Sequence, residues 1–316
     1  MAAALAHRSY APATDQLELP HQPCALAWVG AALVAATYDY VEAEGTRRGG
    51  LCLLQNADKG APVVSKTLEL CGGYALAPRG SQLAVATADG RIALVDVGED
   101  DLTLAAASEA KGHLFTDVVW DGDALIVAEG DSGRVSLWHT NELKETKAWD
   151  AHAYAPGCLA EVWCVGRDAT TGLYVSGADD GLLKGWDLRS PKPVLALKHD
   201  AGVTAVACDD TVATGSYDES VRLWDLRAPS APTHTLAVGG GAYALTRDGD
   251  GYLVACMGAG ASVLRATPDG LEVAGVYAHH GSVVYGVVRH EASRRVASCS
   301  FYDRGVHVWS DELVML

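Results

Sequence analysis

The chain has 316 residues, with 24 Lys plus Arg against 40 Asp plus Glu and a formal net charge of −16. That balance excludes a nucleic-acid partner, because phosphate binding needs a concentrated basic surface, and it suits a cationic protein or a cationic small group. With 49% hydrophobic and 20% charged residues, the chain has ample material for a core, and disorder is excluded.

No basic region followed by an apolar one of secretory length opens the chain. The longest apolar run, Cys24 to Tyr38, is shorter than the roughly 18–20 residues a membrane span needs. It reads as two strands turning at Gly30. Short Val- and Leu-rich segments then follow one another: QLAVATA, RIALVDV, ALIVAEG, RVSLW, LYVSG, LLKGW, TVATGS, VRLW, YLVACM, RVASCS and VHVW. Asp, Gly and Ser clusters such as ADDG and RDGDG separate them, the signature of an all-β protein without long helices. Eight cysteines are scattered, with no CxxC pair, and most sit in apolar runs as small core residues. A soluble, reducing, cytoplasmic setting is expected.

Trp138, Trp186, Trp224 and Trp309 each end an apolar-x-apolar-Trp strand, and Val95 ends a similar one. Asp89, Asp180, Asp218 and Asp303 stand six residues before four of these strand ends, and His113, His152, His199 and His280 lie upstream. The pattern resembles WD repeats, four-stranded blades of roughly 40–45 residues around a central channel. The chain length then predicts an all-β, seven-bladed WD-repeat β-propeller spanning 1–316 as one domain, with Leu17 to Leu19 completing the last blade and removing an exposed sheet edge. Each strand-ending indole needs an acceptor, and a neighbouring hydroxyl, the turn Asp and the upstream His form a set that locks the hairpin. His152, His199, Asp180, Asp218, Trp186 and Trp224 are read in that structural role first.

Familiar catalytic signatures are missing. GDSGR around Ser132 lacks the second glycine of a nucleophile elbow. GGGAY at Gly239 to Tyr243 fails as a dinucleotide fingerprint. Asp248-Gly-Asp-Gly reads as a hairpin turn, since its calcium-like spacing fails at Tyr252. No cofactor and no metal are expected.

Three segments carry more than a generic repeat: YVSGADDGLLKGWDLR (Tyr174 to Arg189), ATGSYDESVRLWDLR (Ala213 to Arg227) and ASCSFYDRGVHVW (Ala297 to Trp309). Together with AATYDYVEAEGTRRGGL near the start, AHAY at Ala151, KHDAGV at Lys198, the Gly239 to Gly241 run, ACM at Ala255 and HGSVVYG at His280, they resemble the WD-repeat family of diphthine methyl ester hydrolases. The chain departs from that family's pattern at Ala155, Ala244 and Gly258. The resemblance implies hydrolysis of the methyl ester of methylated diphthine on elongation factor 2, with release of methanol, late in diphthamide biosynthesis. That substrate carries a trimethylammonium group, which aromatic faces and carboxylates attract by roughly 0.5–2 kcal/mol per cation–π contact. Asp179, Tyr217, Glu219 and Tyr302 are not demanded by the repeat and are the better site candidates. As expectations, Glu219 or His280 acts as base, Tyr217 or Tyr302 donates to the oxyanion, and Asp179, His152, His199 and Asp303 contact substrate. Cys299 as nucleophile is set against a core role, and Lys184 as a carbonyl donor against a surface one. The partner is elongation factor 2, met by a monomer; the competing reading is a non-catalytic WD scaffold for protein partners.

Overall fold

A computed structural model of the chain describes residues 9–10, 15–209, 211–310 and 313–314. Seven four-stranded antiparallel units follow one another along the chain, Ser9–Tyr10 adding parallel to the outer edge of the sixth, and each inner strand packs against those of the neighbouring units, so they close into a ring. Blade 1 runs from Pro23–Val29 to Val63–Glu69, blade 2 from Gly73–Arg79 to Leu102–Ala107, and blade 3 from Phe115–Asp121 to Lys144–Asp150. Blade 4 runs from Val162–Arg167 to Leu195–Lys198, blade 5 from Val203–Cys208 to His234–Ala237, and blade 6 from Ala244–Asp248 to Gly270–Tyr277. Blade 7 takes Val284–Arg289, Val296–Ser300 and Gly305–Trp309 from the end of the chain. Its outermost strand is Asp15–Glu18, paired antiparallel to Gly305–Trp309. The only helical turn among the described residues is a 3-10 turn at Gly130–Ser132, and no described helix is long and apolar enough to cross a membrane.

The apolar periodicity becomes seven interfaces. The buried residues fall into seven clusters, such as Ile126, Val135, Val162 and Trp186 between blades 3 and 4 and Ala213, Tyr252, Val254 and Leu264 between blades 5 and 6. The second strand of a blade is covered on both faces; Leu33, Val34, Ala35 and Ala36 are completely buried. A strand buried on both sides reads as a continuous apolar run. Most cysteines lie in these cores as anticipated, whereas Cys71 and Cys158 are exposed.

The locks form on one face of the ring. In blade 4, Trp186 Nε1 donates to Ser176 Oγ at 2.8 Å, Ser176 and His152 Nε2 lie 2.8 Å apart, and His152 Nδ1 reaches Asp180 at 2.9 Å. Lys184 Nζ donates to Asp180 and to the Ala151 carbonyl, which moves it from the surface into the lock. Blades 5 and 7 repeat the indole–hydroxyl–imidazole run through Trp224, Thr214 and His199 and through Trp309, Ser298 and His280. There the expected aspartate step is missing. Arg222 stands where blade 4 has Lys184 and takes Asp218 at 2.6 Å, and Asp218 also accepts the Asp200 N–H. Asp303 accepts the Gly281 N–H. His199 Nδ1 and His280 Nδ1 are left enclosed without a partner. In blade 3 Val127 stands where blade 4 has the hydroxyl of Ser176; Glu129, two residues on, meets His113, Lys111 and Arg134, while Trp138 turns to Ser136 in its own strand.

Two short hairpins are added to the same face. Asp39–Val41 with Thr46–Arg48 interrupts blade 1, and Ala153–Ala155 with Cys158–Leu159 sits between blades 3 and 4.

Ser176→Ala strips two groups of their partner at once, the Trp186 indole and His152 Nε2. Each unsatisfied buried group costs roughly 1–3 kcal/mol, so urea unfolding should show a loss of about 2–5 kcal/mol. A loss below about 0.5 kcal/mol would contradict the lock.

Candidate functional site

The site is built from one residue per blade. In six blades the pairing of the inner strand with its neighbour skips a single residue near the strand's start: Cys24, Tyr74, Thr116, Trp163, Thr204 and Tyr285. A bulge of this kind leaves one residue out of the ladder and re-aims its side chain. Blade 6 places Tyr243 at the matching position, one residue ahead of Ala244. All seven line the central channel, which encloses a cavity of about 470 Å³.

The small members stitch blades together. Cys24 Sγ donates to the Gly73 carbonyl, Thr116 to Val162 and Thr204 to Ala242, each in the following blade. The aromatic members instead fill the mouth. Tyr74 and Tyr243 hydroxyls meet at 3.0 Å, joining blade 2 to blade 6 across the channel. Tyr243 stacks on Tyr285 at 4.2 Å, Tyr285 contacts Phe301 and Phe301 contacts Tyr302. On the other side Trp163 meets both Tyr243 and Tyr217 at 6.3 Å, and Tyr38 meets Tyr74 at 5.9 Å. The rings thus form a continuous aromatic arc around the opening.

Carboxylates stand against this arc. Trp163 Nε1 donates to Asp179 Oδ1 at 2.6 Å. Partial burial, with the nearby Asp179 and Asp131, raises the Glu161 carboxyl above its ordinary range. Burial pushes the Tyr217 phenol up, and Asp179, Tyr285 and Glu161 add to the shift. Burial likewise raises Tyr74, Tyr243 and Tyr285. At neutral pH Tyr74, Tyr217, Tyr243 and Tyr285 therefore keep their protons and can donate.

The structure brings together two of the sequence candidates, Tyr217 and Asp179, both against Trp163. Tyr302 lies across the mouth, 72% exposed. Each of these three directly precedes a lock aspartate: Asp180, Asp218 or Asp303. The remaining candidates need correction. Glu219 occupies the left-handed turn position with φ +65°, matching Gly90, Gly181 and Arg304 in other blades. Its side chain is exposed, and the carboxylates that act on Tyr217 are Asp179 and Glu161, not this sequence neighbour. His280 is enclosed, with Nε2 committed to Ser298. Burial and the stacked His307 ring lower its pKa to about 3. His152 and His199 hold the lock role read for them first, 2% and 3% exposed and out of a substrate's reach, and burial followed by Arg222 lowers His199 to about 4. Asp303 is spent on backbone N–H groups.

Asp180, His152 and Ser176 are connected like a hydrolytic triad, yet Ser176 is completely buried and its oxygen accepts from an indole. No ester reaches it. Cys299 is also completely buried, and burial holds its thiol well above the ordinary range, which leaves it without thiolate. Asp248 faces Arg265 and Arg289 as an ion-paired turn. Sequence reasoning missed Trp163, Glu161, Tyr74 and Tyr243 as site residues. A signal was present, because once blades are aligned on their inner strands these rings share one column with Tyr285.

Both the closed ring and the locks define a WD-repeat β-propeller. A family model described as WD domain, G-beta repeat, matches residues 191–225. A chain of the solved structure "Crystal Structure of Mitotic Checkpoint Complex" superposes with a TM-score of 0.76, covering 96% of each chain at 18% identity, a likeness of fold. The chain is 28% identical over 271 residues to "Diphthine methyltransferase homolog" of Dictyostelium discoideum, covering 72% of each. It is 31% identical over 159 residues to "Diphthine methyltransferase" of Homo sapiens, covering 46% of this chain and 34% of that one. The chain thus spans about a third of the human relative's length. The chain is a WD-repeat propeller similar in sequence to proteins named diphthine methyltransferase in several species.

Glu219→Gly relieves a left-handed backbone that costs a non-glycine residue roughly 1 kcal/mol. The variant should unfold at a slightly higher urea concentration than the parent. A clear loss of stability would show that the Glu219 side chain is held after all.

Proposed function

We propose that the chain hydrolyses the methyl ester of methylated diphthine on elongation factor 2, a step of diphthamide biosynthesis, and releases methanol. The observation that carries this reading is a mouth where protonated phenols face carboxylates with no basic partner, in a chain whose relatives are named for diphthine. Among the described residues, Glu161 and Asp179 take part in no ion pair with Lys or Arg. The relatives' printed name speaks of methyl transfer; in this reading water takes the acyl group and the methyl leaves on its own oxygen as methanol.

Ester hydrolysis requires an activated water, a base and donors for the oxyanion. Glu161 serves as base, its raised pKa lying closer to neutral pH than an ordinary carboxylate's. It takes a proton from water as the water oxygen bonds to the carbonyl carbon. Tyr217, with Tyr302 from the far rim, donates to the carbonyl oxygen as negative charge grows there. Collapse of the tetrahedral species breaks the bond to the methoxy oxygen, which leaves as methanol with the proton from Glu161. The acid so formed gives its remaining proton to solvent; the product carboxylate then faces Glu161 and Asp179, and like-charge repulsion favours its release.

A second reading is a non-catalytic scaffold. It is favoured by exposed Tyr40, Tyr154 and Leu159 on the two added hairpins, which offer a protein-binding surface beside the mouth. Mass spectrometry separates the two. Incubation with elongation factor 2 carrying the methyl ester should remove one methyl group; binding with unchanged mass would support the scaffold.

General-base catalysis contributes roughly 10²–10⁴-fold, so Glu161→Gln should lower methanol release by about 100-fold or more with the fold intact. The base must be ionised to act. Activity should therefore fall as pH drops through the raised Glu161 pKa, and this acid limb should vanish in Glu161→Gln. An unchanged pH profile in the variant would remove Glu161 from the role.

A further inference from the structure

One residue beyond the column that lines the mouth, six blades place a small uncharged side chain or none: Ala25, Ala75, Cys164, Ala205, Ala244 and Gly286. Blade 3 alone places a carboxylate there, Asp117. Closing the ring therefore does not require a charge at this level. Asp117 Oδ1 accepts the Val118 N–H at 2.8 Å, and Oδ2 accepts the Val165 N–H of blade 4 at 2.9 Å. A carboxylate offers about four acceptor sites, so roughly two stay open. No cationic side chain among the described residues pairs with it, and a desolvated charge without a partner is costly. Burial pushes the carboxyl up to about 6 although the residue is only partly covered, so what it faces is the channel and not bulk water.

The rest of the wall is mostly apolar. The cavity of about 470 Å³ runs from the aromatic mouth past Leu76, Val206, Leu245 and Val288 to Pro78 and Trp120, next to the far ends of their strands. The lining hydroxyls of Thr116, Thr204 and Thr246 are spent on carbonyls of the following blade. A mostly apolar cavity of this size with one placed polar group is the usual form of a small-molecule site. We infer that the channel below the mouth binds a primary alkylammonium, its N–H groups on the open acceptor sites of Asp117 and its chain along Leu76, Val206, Leu245 and Val288. A quaternary ammonium has no N–H for those acceptors, and an alcohol brings no charge to offset the carboxylate. The Tyr74–Tyr243 hydrogen bond spans the upper end, so the guest enters from the opposite face. Because Asp117 is held from two blades before the guest arrives, little ordering cost is left for binding. This site goes beyond the hydrolase reading and does not rest on it.

Hexylamine and 1-hexanol, alike in length and shape, test the site by calorimetry on the whole chain at neutral pH. The parent should bind hexylammonium at least about tenfold more tightly, the scale of a charge-assisted hydrogen bond. Tetramethylammonium should not displace it. Asp117→Asn keeps an acceptor for one of the two backbone N–H groups and removes the charge, so it should erase the preference. Carbon NMR of the Asp117 carboxyl in the parent reads the same contact without any substitution: hexylammonium should shift the resonance, and hexanol should leave it in place. Absence of binding, equal affinity for the two probes or displacement by tetramethylammonium would overturn the inference. So would a preference that survives Asp117→Asn, or a carboxyl resonance that hexylammonium does not move.

Discussion

Everything at the mouth depends on a bulge near the start of the inner strands. A flat ladder would alternate its side chains between the two faces of each blade and send none along the channel axis. Skipping one residue in the pairing frees a side chain from both faces; six blades bring such a residue to one ring, and Tyr243, just ahead of the inner strand of blade 6, completes it. Four are aromatic, at positions 74, 163, 243 and 285. They close the channel's upper end through ring contacts and the Tyr74–Tyr243 hydrogen bond. The others, Cys24, Thr116 and Thr204, tie each blade to the next. One backbone irregularity thus supplies both cohesion and the floor of the mouth.

The locks do the second half of the positioning. An indole, a hydroxyl and an imidazole in series satisfy one another in the dry interior, where an unpaired polar group is costly. They hold the adjacent turn still, and with it the residue preceding the lock aspartate. This is how Asp179, Tyr217 and Tyr302 arrive at the opening from three different blades. The same geometry explains why Asp180–His152–Ser176 is not reactive: the chain that resembles a proton relay is sealed by Trp186 on one side and the blade core on the other.

The seven-bladed architecture, the tryptophan locks of blades 4, 5 and 7 and the turn positions of Tyr217, Asp179 and Tyr302 were legible in the sequence. Each follows from a local pattern repeating at a fixed period. The lock role read first for His152 and His199 was legible too; the exposure of Glu219 and the enclosure of His280 were not, for two physical reasons. Turn residues look alike in sequence whether they face the axis or solvent, and only φ +65° places Glu219 outward. Histidines near acids look catalytic until burial is known. Trp163 and Glu161 escaped notice because a bulge is a property of pairing between strands, which hydrophobic alternation along one strand does not encode. The exchange of Lys184 for Arg222 shows the same limit. One long cation in place of another redirects an aspartate from a histidine to a guanidinium.

The central claim is that chemistry takes place at the aromatic mouth of the lock-bearing face. The most direct measurement is the structure of Glu161→Gln bound to elongation factor 2 carrying the methyl ester. The account predicts the modified side chain over the channel, its ammonium group against Trp163 and Tyr217 and its carbonyl oxygen within hydrogen-bond distance of the Tyr217 hydroxyl. A modified side chain found on the opposite face, or against the outer strands of a blade, would contradict it.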